Sequence, residues 1–347
     1  MSLFNATGDF FALDIGTTAA RLVQLKGGGQ KHSLFRYGTV TLDAKVSESD
    51  SEAHQVQLQE AIKQLIAQTG VTTKNVAVGI PSTKMFATVV DFQNLPANEL
   101  ANAITYQADQ FIPTQVTESK IDWQVIGPSP ADPEKVEILI ASIAKQYGES
   151  RLNLLEGMGL NVIAMEPDAL ALARSLPKAD EQGAVLILDM GANATDLVIV
   201  MDGALRLSRS IPVGGNGIVR AAQQNLSVDE QQAMQFVYKF GLIQDKLEGQ
   251  VYQAIQSTVD NLINDIEKSI KFFTTRYNKN PVTKIVVTGR ASVLPDFPLH
   301  LVNKTNIPVE IGNAWQNVQY PEASHNDLMS VANQYAVAAG LAERIEK

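Results

Sequence analysis

The chain has 347 residues, of which 45% are hydrophobic and 19% charged, and its formal net charge is −9. This length and composition are typical of a globular protein with about two domains; because nucleic acids bind basic surfaces, we expect no nucleic-acid partner. The sequence contains no cysteine, which excludes disulfides, thiolate nucleophiles and cysteine-ligated zinc. No apolar run approaches the roughly 18–20 residues of a membrane span, so we predict a cytoplasmic protein without direct membrane insertion.

Two copies of one short pattern predict a duplicated fold. Residues 14–25 and 189–200 each place Asp-x-Gly and small or hydroxylated residues between two apolar runs, which is typical of two strands joined by a tight turn. The bare backbone N–H groups of such a turn can surround an anion, while the aspartate, Asp14 or Asp189, holds magnesium through water. The repeat therefore predicts two halves that hold the phosphates of a nucleotide from both sides.

The first half is predicted to occupy residues 1–81. After the first pair of strands, a third strand is predicted around 34–42, followed by a helix through Leu58–Ile66 that ends at Gly70. Val76–Ile80 is predicted to be a buried strand that ends at Pro81.

Residues 82–165 interrupt the repeat. Their pattern predicts a strand, a helix, two strands, a second helix and a last strand at 162–165, with the proline-rich stretch 127–133 between the two middle strands. Such a set can form a layer of its own, so we predict a small inserted α+β subdomain.

The repeat resumes after a predicted connecting helix at 166–182. The second half is predicted to span 183–330 and to contain a long helix with an apolar stripe from Ile255 to Phe273. Residues 331–347 are predicted to return to the first half as part of a helix that begins at Leu328.

Two further helix starts are predicted in the second half. Gly214-Gly215-Asn216 is expected to open one helix, where backbone N–H groups can bind a phosphate. Ser227 and Glu230 have the spacing of a capping box and are expected to begin the next one.

These residues resemble the actin/heat-shock-70/hexokinase ATPase superfamily and, within it, the PilM family of type IV pilus assembly proteins, relatives of the cell-division protein FtsA. The resemblance covers essentially the whole chain. Asp14–Thr18 and Asp189–Ala192 resemble the two phosphate motifs, and Met165–Ala169 resembles the first connecting helix. The features specific to PilM and FtsA lie in the insertion and are Leu95-Pro96, Glu99-Leu100, Phe111-Ile112-Pro113 and Gly159-Leu160.

The resemblance implies an α/β fold, a duplicated actin-like ATPase with ribonuclease-H-like halves and an inserted α+β subdomain, which binds ATP and Mg²⁺. Asp14 and Asp189 are the implied magnesium ligands, through water, and Glu166 is expected to position the attacking water. The implied nucleotide-binding residues are Asp14, Gly16, Thr17, Thr18, Asp189, Gly191, Ala192, Asn193, Gly214, Gly215, Asn216, Lys268, Gly289 and Arg290.

The adenosine side departs from the family pattern. The family carries Ala-Glu-x-x-Lys before Gly241, whose Glu and Lys touch the ribose, but this chain has Ala233-Met234 and Val237 there. The family's Ser-Gly-Gly-Gly loop is Thr288-Gly289-Arg290-Ala291 in this chain. We therefore expect weak nucleotide binding and at most slow ATP hydrolysis.

The function that the resemblance implies is a scaffold of type IV pilus assembly. Its expected partner is the N-terminal cytoplasmic tail of an inner-membrane protein of the PilN type, which would hold it at the inner face of the cytoplasmic membrane. We predict that the tail lies in a groove between residues 82–165 and the first half. Contacts with pilus motor ATPases and self-association are further expectations.

Two alternative functions stay open from the sequence. One is a filament-forming ATPase of the FtsA or MreB type. The other is a sugar-kinase-like phosphotransferase, which needs a catalytic aspartate base in its first half; the sequence offers only Asp14 for that role.

Overall fold

The computed structural model describes residues 9–27, 32–178 and 181–344. The first segment of the chain folds as three strands, two helices and a fourth strand, in agreement with the predicted hairpin and helix. Ser51 begins the longer helix, where its hydroxyl accepts a hydrogen bond from the His54 N–H at 3.4 Å, and Gly70 ends it with a left-handed φ of 66°. These elements are β1 (Phe11–Ile15), β2 (Ala19–Lys26), β3 (His32–Thr41), α1 (Ala44–Ser47), α2 (Glu52–Thr69) and β4 (Asn75–Ile80).

The inserted region contains a small antiparallel sheet that is covered by one helix. Alternation along its strands directs apolar side chains such as Phe92 and Ile140 toward Leu100 and Ile104 of that helix. The elements from here to the second half are β5 (Met85–Gln93), α3 (Ala97–Gln107), β6 (Ser119–Pro128), β7 (Lys135–Ala144), α4 (Lys145–Glu156), β8 (Asn161–Pro167) and α5 (Asp168–Ser175).

The second half contains the long helix that the apolar stripe predicted. Its buried residues pack against the strands of the half in one apolar core. The elements are β9 (Ala184–Met190), β10 (Thr195–Met201), β11 (Ala204–Ile211), α6 (Gly215–Leu226), α7 (Glu230–Phe240), α8 (Gln250–Arg276), β12 (Val282–Thr288), α9 (Phe297–Thr305) and β13 (Val309–Ile311). The last part of the chain contains β14 (Val318–Gln319), α10 (His325–Val331) and α11 (Ala336–Ala342).

The two halves repeat one sheet topology. In the described residues, the strand orders are β14-β3-β2-β1-β4-β8 and β11-β10-β9-β12-β13. In each half, the first strand pairs antiparallel with the second and parallel with the fourth, as β1 does with β2 and β4, and as β9 does with β10 and β12. The same order of pairing in both halves is what a duplication predicts.

The inserted unit is smaller than the sequence predicted. Its sheet, β5-β7-β6, ends at Ala144, whereas β8 pairs in parallel with β4, and Leu154 and Leu155 of α4 pack with Ile62 in the core of the first half. The predicted boundary at 165 therefore lies inside β8, which belongs to the first sheet. A strand of four apolar residues does not indicate which sheet it joins, because its pairing partner is distant in the chain.

The C-terminal region also differs from the prediction. The chain returns to the first sheet at β14, which pairs with β3, before the predicted boundary at 330. The single helix expected from Leu328 is divided into α10 and α11, because residues 332–335 leave the helical path. The capping box is wrong as well: Ser227 ends α6 with a φ of 55°, and Asp229 caps α7 through the Gln232 N–H at 2.8 Å.

The two halves meet through α5 and α11. Small residues let these helices approach closely: a Cβ at Gly340 would lie 1.9 Å from the carbonyl oxygen of Ala171. Their buried side chains join residues of both large sheets, among them Ala12 and Ile187, in one core. Among the described residues, no helix combines the length and the apolar character that crossing a bilayer requires.

Candidate functional site

The two repeated turns face one cleft between the halves. Each turn closes with the same hydrogen bond, from the N–H of Gly16 to the oxygen of Ala19 at 3.0 Å and from the N–H of Gly191 to the oxygen of Ala194 at 2.9 Å. The cleft has a volume of about 1250 Å³, including space open to solvent. The predicted residues that line it are Asp14, Gly16, Thr17, Thr18, Asp189, Gly191, Ala192, Asn193, Gly289 and Arg290.

A carboxylate that the sequence analysis missed connects the two turns. Glu48 Oε1 accepts a hydrogen bond from Asn193 Nδ2 at 2.7 Å and one from the Thr17 hydroxyl at 3.2 Å. Ser47, beside it, donates to the Thr17 carbonyl at 2.6 Å. The loop after α1 thus spans the cleft from the first turn to the second, and no local motif marked it because its partners are distant in sequence.

The Gly-Gly turn supports the second phosphate turn from behind and does not line the cleft. The N–H of Gly215 donates to Gly191 O at 3.0 Å and the N–H of Asn216 to Ala192 O at 2.8 Å. A Cβ at Gly214 would lie 2.6 Å from Ala192 O, so only glycine permits this approach. Residues 214–216 therefore position the second phosphate turn and do not themselves line the cleft.

Four of the five aspartates that line the cleft act electrostatically on one another, and two of these four, Asp168 and Asp196, were not predicted as site residues. Burial, followed by the neighbouring carboxylates, raises the pKa of Asp168 well above its usual range. Burial and the nearby Asp196 raise the pKa of Asp189 to about 7. Burial also raises the pKa of Asp14 although Arg21 Nη1 lies 3.6 Å from its carboxylate. This concentration of negative charge needs a cation when the groups are ionised.

Hydrated magnesium fits these aspartates. Among the described residues, no three side chains of the metal-binding types are arranged to hold an ion directly. Mg²⁺ usually keeps several waters and bonds oxygen ligands, so contacts through water suit separated carboxylates. Asp168 Oδ1 has no solvent access and no hydrogen-bond partner in the described part of the chain, so a cation in the cleft would compensate the charge of this carboxylate.

The structure does not bring Glu166 or Lys268 to the cleft. Glu166 is only 1% exposed and pairs with Arg174 at 2.9 Å and with Arg344. Its carboxylate is thus occupied in an ion-pair cluster, and Asp168, two residues later, is the carboxylate that lines the cleft. Lys268 lies on α8 with a 72% exposed side chain paired to Asp265 at 2.8 Å.

The loop after β12 approaches the second turn so closely that residue 289 must be glycine. Gly289 has a left-handed φ of 83°, and a Cβ there would lie 2.4 Å from Asp189 Oδ1. Its N–H donates to Asn333 O at 2.6 Å, and the Thr288 hydroxyl donates to the same oxygen at 2.7 Å. These bonds explain why the C-terminal helix is interrupted around Asn333. Arg290 follows directly and lines the cleft.

Comparison with solved structures identifies the fold. The fold matches a chain of the PilM-PilN type IV pilus biogenesis complex with a TM-score of 0.82 at 20% identity, over 98% of this chain and 99% of that one. It also matches EutJ of Carboxydothermus hydrogenoformans with a TM-score of 0.59 at 12% identity, over 98% of this chain and 91% of EutJ. A third match is MreB5 of Spiroplasma citri bound to AMPPNP (TM-score 0.56, 14% identity, 97% and 95% covered). The predicted actin-like ATPase fold is confirmed.

The particular family follows from the sequence match. The family described as type IV pilus assembly protein PilM matches residues 12–346. The chain belongs to this family, which confirms the prediction made from the insertion and the two phosphate motifs.

Proposed function

We propose that this protein is a nucleotide-binding scaffold of type IV pilus assembly that holds the cytoplasmic tail of a PilN-type membrane protein. The observation on which the nucleotide part rests is the pair of equivalent Asp-x-Gly turns that face each other across one cleft lined by Asp168 and Asp196. The two turns offer backbone N–H groups to phosphates from both halves. The aspartates are the residues that would hold hydrated Mg²⁺, whose positive charge would neutralise the phosphates.

Nucleotide binding tests this part of the proposal. We expect Asp14→Asn and Asp189→Asn each to lower the affinity for Mg-ATP about tenfold or more, because loss of groups that orient metal-bound water typically costs 10–100-fold in metal affinity. Isothermal titration calorimetry measures the change. Asp202→Asn, at an exposed turn of the second half, which also contains Asp189, is the matched control. Unchanged affinity in both cleft variants would contradict the assignment of the cleft.

The partner part rests on family membership and on the shape of the insertion. A solved structure similar to this one is a complex of PilM with PilN. In this chain, β6 is an edge strand of the inserted sheet, and Lys120 on β6 forms an ion pair with Glu149 on α4 at 3.5 Å. A strand at the edge of a sheet, beside a helix of the first half, can accept an extended peptide through backbone hydrogen bonds. The tail has to become ordered on binding, so we expect roughly micromolar affinity.

Site-specific labels test where the tail binds. Because the chain has no cysteine, Glu149→Cys at the groove and Leu299→Cys on α9 each provide one labelling site. Leu299 is 58% exposed on the second half and serves as the matched control. A tail peptide with a quencher is expected to quench a dye at 149 and not at 299, with saturation in the micromolar range. Equal quenching at both sites would place the tail elsewhere, and no binding by the full chain would contradict the scaffold function.

The remaining parts of the proposal follow from these two. A scaffold that holds the tail of a membrane protein is located at the inner face of the membrane through that tail. ATP serves to favour closure of the cleft, since a ligand held between two halves biases their relative position, and hydrolysis is slow at most. Contacts with motor ATPases and self-association stay predictions.

A further inference from the structure

Two cations of the cleft belong to the segments that join the inserted sheet to the first half. Lys84 precedes β5, where the chain leaves the first half, and Arg151 lies on α4, which directly follows β7, where the chain returns. Both line the same cleft as the phosphate turns, together with Tyr147 of α4. The sequence analysis assigned no role to any of these three residues.

Tyr147 lies beside both cations. Lys84 Nζ lies 5.6 Å from the centre of the Tyr147 ring and the Arg151 guanidinium lies 5.4 Å from it, both within the range of a cation–π interaction. Arg151 also donates to the Tyr147 hydroxyl at 3.3 Å. The ring itself packs against the core of the first half. Both cations line the cleft, so an anion bound there would be attracted by the two positive charges.

In the described ranges, no carboxylate forms an ion pair with Lys84 or Arg151. By contrast, Arg21, another cation of the cleft, lies beside Asp14 at 3.6 Å. The helix with Arg151 is tied to the rim of the cleft, because the amide of Gln55 donates both to the neighbouring Ser150 hydroxyl at 3.2 Å and to Asp50 O at 3.3 Å.

We propose that Lys84 and Arg151 bind the terminal phosphate of a nucleoside triphosphate and thereby distinguish it from a diphosphate. This inference rests on the nucleotide binding proposed above and names the residues that select the nucleotide state. The turns at Gly16 and Gly191 line the same cleft as the two cations, so a phosphate chain held by the N–H groups of the turns lies in the space that the cations also line. Guanidinium and ammonium groups form strong, charge-assisted hydrogen bonds to phosphate oxygens.

The position of the two residues gives the contact a structural consequence. The inserted sheet connects to the first half before β5, where Lys84 lies, and after β7 through α4, which carries Arg151. A terminal phosphate bound by both cations therefore links the start of β5 to α4, and a diphosphate does not. We expect Mg-ATP to slow amide exchange at 81–85 and 145–151 more than Mg-ADP does.

The test compares Mg-ATP with Mg-ADP in the full chain by calorimetry. Lys84→Met and Arg151→Met are expected to reduce the preference for ATP over ADP about tenfold each, with ADP affinity within twofold of wild type, since each removes one charge-assisted contact. Lys145→Met is the matched control, because Lys145 starts the same helix but donates to Thr117 O at 2.7 Å and does not line the cleft. The difference in amide exchange between ATP and ADP should vanish in the two cleft variants only.

The other possible results contradict either the terminal-phosphate assignment or the proposed function. If the wild type binds both nucleotides and the two variants keep its preference, or if they lose ATP and ADP equally, the terminal-phosphate assignment is wrong while the nucleotide site stands. If the wild type binds neither nucleotide, the proposed function itself fails, and this assignment fails with it.

Discussion

Replacement of Glu137 by alanine is expected to lower the free energy of unfolding by about 3–5 kcal/mol, because it removes the centre of a buried ion-pair cluster and leaves the buried Arg206 without its carboxylate partner. Glu137 is fully buried on β7 of the inserted sheet. Its carboxylate accepts hydrogen bonds from Arg206, from Arg276 Nη2 at 2.8 Å and from the Tyr277 hydroxyl at 2.5 Å. These three partners all belong to the second half.

The cluster joins the insertion to the second half, although in the chain the insertion is part of the first half. Asp91 stands directly opposite Glu137 in the inserted sheet and accepts from Arg276 Nη2 at 2.8 Å, so two carboxylates of the insertion meet two arginines of the second half. Burial raises the pKa of Tyr277, and the hydrogen bond from its hydroxyl to the Glu137 carboxylate raises it further. The insertion is thus covalently joined to the first half and held by ion pairs to the second.

The two tryptophans of the chain allow this effect to be measured in each part. Trp123 lies on β6 of the insertion, and Trp315 is buried in the core between the halves. In urea titrations of variants that keep one tryptophan, Glu137→Ala should shift the transition of Trp123 most. Glu134→Ala, exposed on the same hairpin, is the control and should unfold like wild type. If the urea midpoints of Glu137→Ala equal those of the wild type at both tryptophans, the cluster does not stabilise the docked insertion.

Replacement of Gly340 by alanine is expected to destabilise the protein by about 3 kcal/mol, at the upper end of the usual cost of overpacking. The new Cβ would lie 1.9 Å from the carbonyl oxygen of Ala171 and 2.5 Å from its carbonyl carbon. These are backbone atoms of a helix, so no side chain can move aside, and α5 and α11 have to separate. Because the two helices join the halves, the nucleotide cleft should change with them.

Thermal unfolding followed by circular dichroism measures this cost, and calorimetry with Mg-ATP reports on the cleft. Gly217→Ala is the matched control, since it makes the same change inside α6, where a Cβ would meet nothing within 4 Å. It should raise the stability slightly, by about 0.5–1 kcal/mol, as alanine for glycine does within helices. A Gly340→Ala variant that melts with wild type would show that the two helices tolerate a wider spacing.

The sequence by itself determined the duplicated architecture and the two phosphate turns. Each turn depends on residues within a few positions of one another, as the bond from Gly16 to Ala19 and the bond from Gly191 to Ala194 illustrate. Backbone conformation of this kind is local, so the pattern of aspartate, glycine and apolar runs is sufficient to predict it. For the same reason, ten of the predicted site residues line one cleft.

Only the tertiary structure decided which distant groups meet these turns. The sequence pattern marked Glu166, yet the fold pairs it with Arg174 and Arg344 and brings Asp168 to the cleft. Likewise, β8 joins the first sheet and Glu137 anchors the insertion through partners about 70 to 140 positions away. Such contacts depend on long-range pairing and on desolvated charges, which act through distance in space and leave no periodic signal along the chain.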